Sequence, residues 1–124
     1  MIAYKWVIKK EDKYYPLVNF GINCWMKIKA PPYEFGKEYK YNGEFAHLVS
    51  LMRRKGMREI DGFHFWKVNN KDLLNRWNNF LESHKQPKIN AILKCEIDDI
   101  VVENDCNRVP RIIANKFKVM GEIC

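Results

Sequence analysis

The stretch that decides the predicted fold is Gly62–Phe80, GFHFWKVNNKDLLNRWNNF, in which a strand pattern gives way to a helix pattern. Residues 62–68 carry apolar side chains on both faces of an extended segment, which is typical of a central strand. Beyond Asn69 or Asn70, either of which can cap a helix, the apolar residues recur at helical spacing. We therefore predict a central strand followed by a core-packed helix. The side chains expected to be buried are Phe63, Phe65, Trp77 and Phe80, with His64 on the opposite strand face from Phe63 and Phe65.

The flanking sequence predicts further strands and a second helix. Residues 2–9 alternate apolar and polar side chains, as a half-buried strand does, and residues 89–97 do the same. Residues 44–55 have apolar side chains at helical spacing and are followed by Gly56, a residue that commonly ends helices. Strand patterns continue from there to the C-terminus. We expect a single α+β domain over residues 1–124, with a mixed or mainly antiparallel sheet and two helices packed on it.

Composition restricts the class of protein and of partner. The chain has 124 residues and a formal net charge of +7, which favours partners that carry phosphate. Neither a secretory h-region nor an apolar run long enough to cross a bilayer is present, so we expect a cytoplasmic protein without a membrane partner. The cysteines and histidines are too widely spaced for a zinc site, and we expect reduced thiols, no metal and no cofactor. The sequence leaves the oligomeric state open.

A basic run near the middle of the chain is the first candidate site. The segment MRRKGMRE, residues 52–59, contains Arg53, Arg54, Lys55 and Arg58 at the predicted end of the first helix. Cations at a helix C-terminus complement the helix dipole and need no ligand. The same cations would also suit phosphate or nucleic-acid binding. Both interpretations stay open.

The second candidate site is a ligand pocket around the opening stretch. Gly62-Phe63-His64-Phe65, the helix after it and the strand AILKCEID resemble the ADP-ribosyltransferase superfamily, in which such a strand, helix and strand wall a nicotinamide pocket. The resemblance implies that His64 replaces the pocket tyrosine and that Trp77 lies near the second aromatic residue. The last predicted strand, RIIANKFKV, lacks the glutamate that these enzymes use to stabilise the developing charge. The candidate pocket residues are His64, Trp66, Trp77 and Glu96, although a histidine on a strand that is apolar on both faces is more often a core residue.

A second resemblance suggests a biological setting. The patterns Y-x-x-G-K-x-Y and G-F-H, with strand patterns at the C-terminus, are similar to small uncharacterised phage-encoded proteins. We therefore expect a phage or mobile-element binding protein, rather than an enzyme, that engages host nucleic acid, a nucleotide or a nucleoprotein complex through a basic face. The resemblance implies that it could inhibit host defence, as an anti-CRISPR protein does. The alternative is an ADP-ribosyltransferase-like enzyme that uses NAD.

Overall fold

The computed structural model describes residues 1–20, 30–41, 63–104 and 111–123. Six strands, one 3₁₀ helix and one α-helix lie within these ranges. The strands are β1 (Ile2–Lys10), β2 (Lys13–Tyr15), β3 (Glu38–Lys40), β4 (Phe63–Trp66), β5 (Ala91–Asn104) and β6 (Arg111–Ile123). The 3₁₀ helix is Leu17–Phe20 and the α-helix, α1, is Lys71–Ser83.

Four of the strands form a closed antiparallel barrel. β5 and β6 pair along most of their lengths, β1 lies on the other edge of β5, and β4 lies on the other edge of β6. The ring closes where β1 meets β4, and this pairing consists of one residue pair, Tyr4 with Trp66. β2 and β3 lie outside the ring, β2 on β1 and β3 on β6.

Irregularities in the longest strands account for the curvature that closes the barrel. The β5–β6 register shifts between Lys94 and Cys95 and again between Ile100 and Val102. Asp99, next to the second shift, has a positive φ of 53°. Such irregularities bend a strand and increase its twist, and a strongly bent sheet can bring its two outer strands together.

The predicted α+β arrangement with two helices packed on a sheet is wrong. The structure is mostly β, α1 is the one α-helix of the described residues, and the sheet curls into a barrel. The reason is that a period-two pattern shows which side chains face a core, and a flat sheet and a barrel produce the same pattern. The predicted helix over residues 44–55 lies outside the described residues.

The barrel interior is filled by side chains from all four strands. On β5 the inward residues Leu93, Cys95 and Ile97 are buried, while Lys94 and Glu96 between them are exposed. The sequence pattern of this strand is therefore confirmed. The interior residues are Ala3, Val7, Phe65, Ala91, Leu93, Cys95, Ile97, Ile112, Ala114, Phe117 and Val119.

Tyrosines from β2 and from the segment before β3 pack against this interior. The Tyr33 amide donates to the Tyr14 carbonyl at 2.7 Å, which ties the segment to β2. The Gly36 amide donates to the Val119 carbonyl at 2.8 Å, which ties it to β6. Gly36 has a φ of 80°, a conformation that favours glycine. The Tyr33 ring thereby packs edge-on against the interior ring of Phe117, with centroids 5.8 Å apart.

A second apolar cluster joins α1 to the outside of the barrel. Trp6 and Ile8 of β1 point outward and are buried together with Leu81 of α1. The expected burial of the opening stretch is confirmed for Phe65, which is 1% exposed. Phe63 and Trp77 are only partly buried, and the prediction for Phe80 is wrong because that side chain is 52% exposed.

Candidate nucleic-acid interface on the outer helix

The helix α1 begins as its sequence predicts, at one of the two expected caps. The Asn70 side chain accepts a hydrogen bond from the Leu73 amide at 3.0 Å, so Asn70 is the N-cap. Leu74 and Trp77 turn towards the barrel and pack with Leu81 against the outer face of β1. These contacts fix which side of the helix faces away from the barrel.

The chain after α1 is also held against the helix. The Asn78 side chain donates to the Ile89 carbonyl at 2.8 Å and accepts from the Ile89 amide at 2.8 Å. Both backbone groups of Ile89 are therefore satisfied by a single side chain just before β5 begins. This double hydrogen bond fixes the orientation of α1 relative to the barrel.

The outward side of α1 carries an aromatic pair between cations. Arg76, Phe80 and His84 are spaced four residues apart and so lie along one face of the helix. The His84 ring lies 4.3 Å from the Phe80 ring, centroid to centroid, at an interplanar angle of 36°. Lys85 follows directly, with a positive φ of 56°. We refer to Arg76, Phe80, His84 and Lys85 as the helix patch.

The two cations of the helix patch have no acidic partner among the residues that the structure describes. Arg76 and Lys85 are exposed and form no ion pair with any residue that the structure describes. Lys88, just beyond the patch, is paired with Glu82 at 3.0 Å. The patch therefore combines an exposed aromatic surface with positive charge that is free to meet an anion.

Lysines on the barrel surface are instead interleaved with carboxylates. Lys116 pairs with Glu38 at 3.5 Å, and Lys9 pairs with Glu122 at 3.3 Å. Lys118 lies opposite Glu38 on β3 and opposite Glu96 on β5. These surfaces present charges of both signs, so they are less suited than the helix patch to a polyanion.

The barrel interior contains a separate group of titratable side chains. Burial lowers the pKa of Lys5 to about 8, and the neighbouring Cys95 acts weakly in the opposite direction. Burial raises the pKa of Cys95 to about 12, and Lys5 opposes that shift. The pKa of Tyr33 is also raised, mainly by burial and further by Cys95 and Tyr39. None of these three side chains was among the site residues predicted from the sequence.

The four residues of the predicted ligand pocket do not converge on one site. Trp66 and Trp77 both pack on the cluster between α1 and the barrel, and the Trp66 ring lies 4.2 Å from that of Trp6. His64 precedes Trp66 on β4, whereas Glu96 is exposed on β5. Because β4 and β5 are not neighbours in the barrel and both side chains alternate with interior residues, His64 and Glu96 point outward in different directions.

The remaining predicted site lies outside the described residues. Arg53, Arg54, Lys55 and Arg58 fall within residues 42–62, and their role in phosphate binding stays a prediction. Within the described ranges, no group of three or more His, Cys, Asp or Glu side chains could hold a metal ion. No helix in that part of the chain is long and apolar enough to span a membrane.

Two features that the sequence analysis missed had signals in the sequence. Arg76, Phe80 and His84 repeat every four residues on the edge of the predicted apolar stripe, which favours a boundary position over a core position. Lys5 lies between Ala3 and Val7 on β1, so alternation alone places it on the face opposite Trp6. Because the even-numbered residues of β1 are the larger apolar ones, the pattern alone does not show that the Lys5 face is the barrel interior.

Comparison with known proteins identifies no relative of this chain. The chain matches no family model, no curated protein and no solved structure.

Proposed function

We propose that the protein is a binding protein that engages single-stranded nucleic acid through the helix patch. In this proposal an unpaired base stacks on the ring of Phe80, beside the His84 imidazole. Arg76 and Lys85 contact the phosphates on either side of that base. The net charge of +7 attracts the strand to the protein over a longer range.

The observation that carries the proposal is the exposed ring of Phe80. A phenylalanine that is 52% exposed leaves apolar area in water, while one edge of its ring packs against Trp77 at 6.0 Å, centroid to centroid. Proteins that bind single strands without sequence preference combine aromatic platforms with cations that follow the backbone. The helix patch has both components along the outward side of α1 and at its C-terminal end, and its cations form no ion pair with a carboxylate that the structure describes.

The biological setting is a further hypothesis. An origin in a phage or other mobile element, and inhibition of host defence as by an anti-CRISPR protein, rest on the sequence resemblance alone. Nucleic-acid binding would be compatible with that setting, because RNA-guided defence complexes displace a single DNA strand from their target. The ADP-ribosyltransferase alternative gains no support from the outward, diverging positions of His64 and Glu96.

The test is binding of a fluorescent oligothymidine by the unmodified protein and by Phe80→Ala. Stacking of one base on an aromatic side chain is worth roughly 1–3 kcal/mol, so Phe80→Ala should weaken binding about 5- to 150-fold. Phe35→Ala is the matched control, because Phe35 is also exposed, by 49%, and lies away from α1 beside Tyr14. The control should bind like the unmodified protein.

The cations are tested through salt dependence. Removing Arg76 or Lys85 should reduce the slope of log affinity against log salt concentration by about 0.7 per lost phosphate contact. Lys118→Ala is the control, because this lysine is flanked by Glu38 and Glu96. If the variants at Arg76, Lys85 and Lys118 all reduced the salt-dependence slope equally, the helix patch would not be the site. Equal affinities of Phe80→Ala and Phe35→Ala for the oligonucleotide would lead to the same conclusion. If the oligonucleotide does not bind to the unmodified protein, the remaining candidate ligand for this surface is another protein.

A further inference from the structure

The strand β3 lies at one end of the sheet, and its outer edge is open in the part of the chain that the structure describes. The hydrogen-bonded path runs from β2 through β1, β4 and β6 to β3, so β2 and β3 are its end strands. The edge of β2 is already occupied, because the Tyr14 carbonyl accepts from the Tyr33 amide at 2.7 Å. No described residue pairs with the outer edge of β3. An open strand edge presents N–H and C=O groups to which another strand can bind.

The backbone groups on this open edge belong to Glu38 and Lys40. The Tyr41 amide donates to the Asn115 carbonyl of β6 at 2.7 Å. Successive residues of an antiparallel strand direct their N–H and C=O groups to opposite sides, so Tyr39 directs its groups towards β6, while Glu38 and Lys40 direct theirs away. Both of these outward-directed residues are exposed. Each therefore offers a donor and an acceptor to a strand that approaches from outside.

The side chains on this edge carry charges of opposite sign. Glu38 pairs with Lys116 at 3.5 Å. Lys40 lies directly opposite Lys116 and forms no ion pair with a described residue. A row of lysines protects an edge strand from pairing, whereas one charge of each sign gives a neighbouring strand charges to match. A carboxylate facing Lys40 across the open edge would stabilise such a pairing.

The sequence Glu38-Tyr39-Lys40 is complementary to itself in the antiparallel direction. When two copies are aligned about Tyr39, Glu38 of each copy faces Lys40 of the other, on both sides of the two-fold axis. The outward-directed backbone groups of these residues then form hydrogen-bonded pairs. An alignment centred on Glu38 or on Lys40 would instead place like charges opposite each other. The same operation on β2, which is Lys13–Tyr15, forms no charge pair.

We propose that the protein forms a symmetric dimer in which the β3 strands of two copies pair antiparallel about Tyr39. The sheet of each copy then continues across the two-fold axis. The Tyr39 ring keeps its place on the ring of Phe117, because the new hydrogen bonds use only groups on the outer edge. The proposal is independent of nucleic-acid binding by the helix patch, since α1 packs against β1 and β3 lies on β6.

The first experiment is sedimentation velocity of the unmodified protein and of charge variants over a range of concentrations. We expect the unmodified protein to pass from monomer to dimer as its concentration increases. Lys40→Glu should weaken dimerisation at least about fivefold, because the charge pairs on both sides of the axis become repulsive. The double variant Glu38→Lys/Lys40→Glu keeps the net charge and restores opposite charges across the axis, so its dimerisation should match that of the unmodified protein within about twofold.

Lys13→Glu is the matched control, because it makes the same charge change at an exposed position on the other end strand. This variant should dimerise like the unmodified protein. A protein that stays monomeric at its highest soluble concentration would overturn the proposal. Equal weakening by Lys13→Glu and Lys40→Glu, or a double variant that dimerises no better than Lys40→Glu, would also overturn it.

Hydrogen exchange of the backbone amides locates the contact. The amides of Glu38 and Lys40 should exchange more slowly as the dimer forms, because they gain partners across the axis. The Tyr39 amide faces β6 in both states, so its exchange should change less. A dimer in which the Glu38 and Lys40 amides exchange as fast as in the monomer would show that the copies meet elsewhere, and would contradict the proposal.

Discussion

Replacement of Phe117 by Ala tests the barrel interior at a ring that contacts four other aromatic rings of the described residues. Phe117 is 1% exposed and lies on β6, where it faces the other three barrel strands. Its centroid lies 4.9 Å from that of Phe63 and 5.1 Å from that of Phe65, both edge-on. The Tyr39 ring stacks on it at 5.0 Å, with an interplanar angle of 19°. Truncation therefore removes contacts to β4 and to the segment around β3 together.

The expected cost follows from this geometry. Truncation of a buried phenylalanine to alanine costs roughly 3–5 kcal/mol, which combines lost burial with the cavity that is left. Aromatic pairs add about 0.5–1.5 kcal/mol each beyond burial, so a ring with several partners should lie at the upper end of that range. Because domains of this size unfold with about 5–15 kcal/mol, Phe117→Ala should lose a large fraction of the total stability.

Urea unfolding followed by tryptophan fluorescence and far-UV circular dichroism provides the measurement. Phe35→Ala is the control, since Phe35 is 49% exposed and contacts one ring, that of Tyr14 at 5.1 Å. That variant should lose less than about 1 kcal/mol. If Phe117→Ala lost no more stability than Phe35→Ala, the closed interior described above would be incorrect.

Three further predictions concern the helix, its attachment and the buried lysine. Leu81→Ala should cost about 2–5 kcal/mol in urea unfolding, because Leu81 is 4% exposed between α1 and the barrel; a loss below about 1 kcal/mol would contradict that docking. Asn78→Ala should cost about 1–3 kcal/mol in the same assay, because it leaves the part-buried amide and carbonyl of Ile89 without their partner, and an unchanged midpoint would show that these hydrogen bonds contribute little. The folded pKa of Lys5, about 8, is below its unfolded value of 10.5, so the unfolded chain binds more protons between these values and stability should rise as pH increases from about 8. Cys95 opposes this rise above pH 9, because its folded pKa exceeds its unfolded value. In a series of urea midpoints at different pH, Lys5→Met should therefore lack the increase in stability between pH 8 and 9. An identical pH profile for the variant and the unmodified protein would contradict the burial of the amine.

Local patterns in the sequence predicted individual elements correctly. The alternation of Leu93, Cys95 and Ile97 with exposed neighbours identified the inward face of β5, and Asn70 was one of the two expected caps of α1. These properties depend on residues close together in the chain. The closure of the barrel depends instead on irregularities in β5 and on a single pair between Tyr4 and Trp66, which no periodicity specifies.

The candidate sites were harder to predict for a related reason. The helical spacing of Phe80 indicates only that it lies at the edge of the apolar stripe, and the width of the buried stripe depends on how α1 meets β1. The sequence pattern around Lys5 is that of a solvent-facing residue. Only the closure of the barrel turns this face of β1 towards the interior. In both positions the decisive contacts come from distant parts of the chain.

The most direct test of nucleic-acid binding by the helix patch is a residue-resolved map of the contact surface. Backbone amide resonances of the isotopically labelled protein would be followed while a short oligothymidine is added. We predict that the largest shifts in the described part of the chain occur at Arg76, Phe80, His84 and Lys85, and that β3 and the neighbouring stretch of β6 respond little. Shifts concentrated on β3 and β6, or saturating binding without any change along α1, would contradict it.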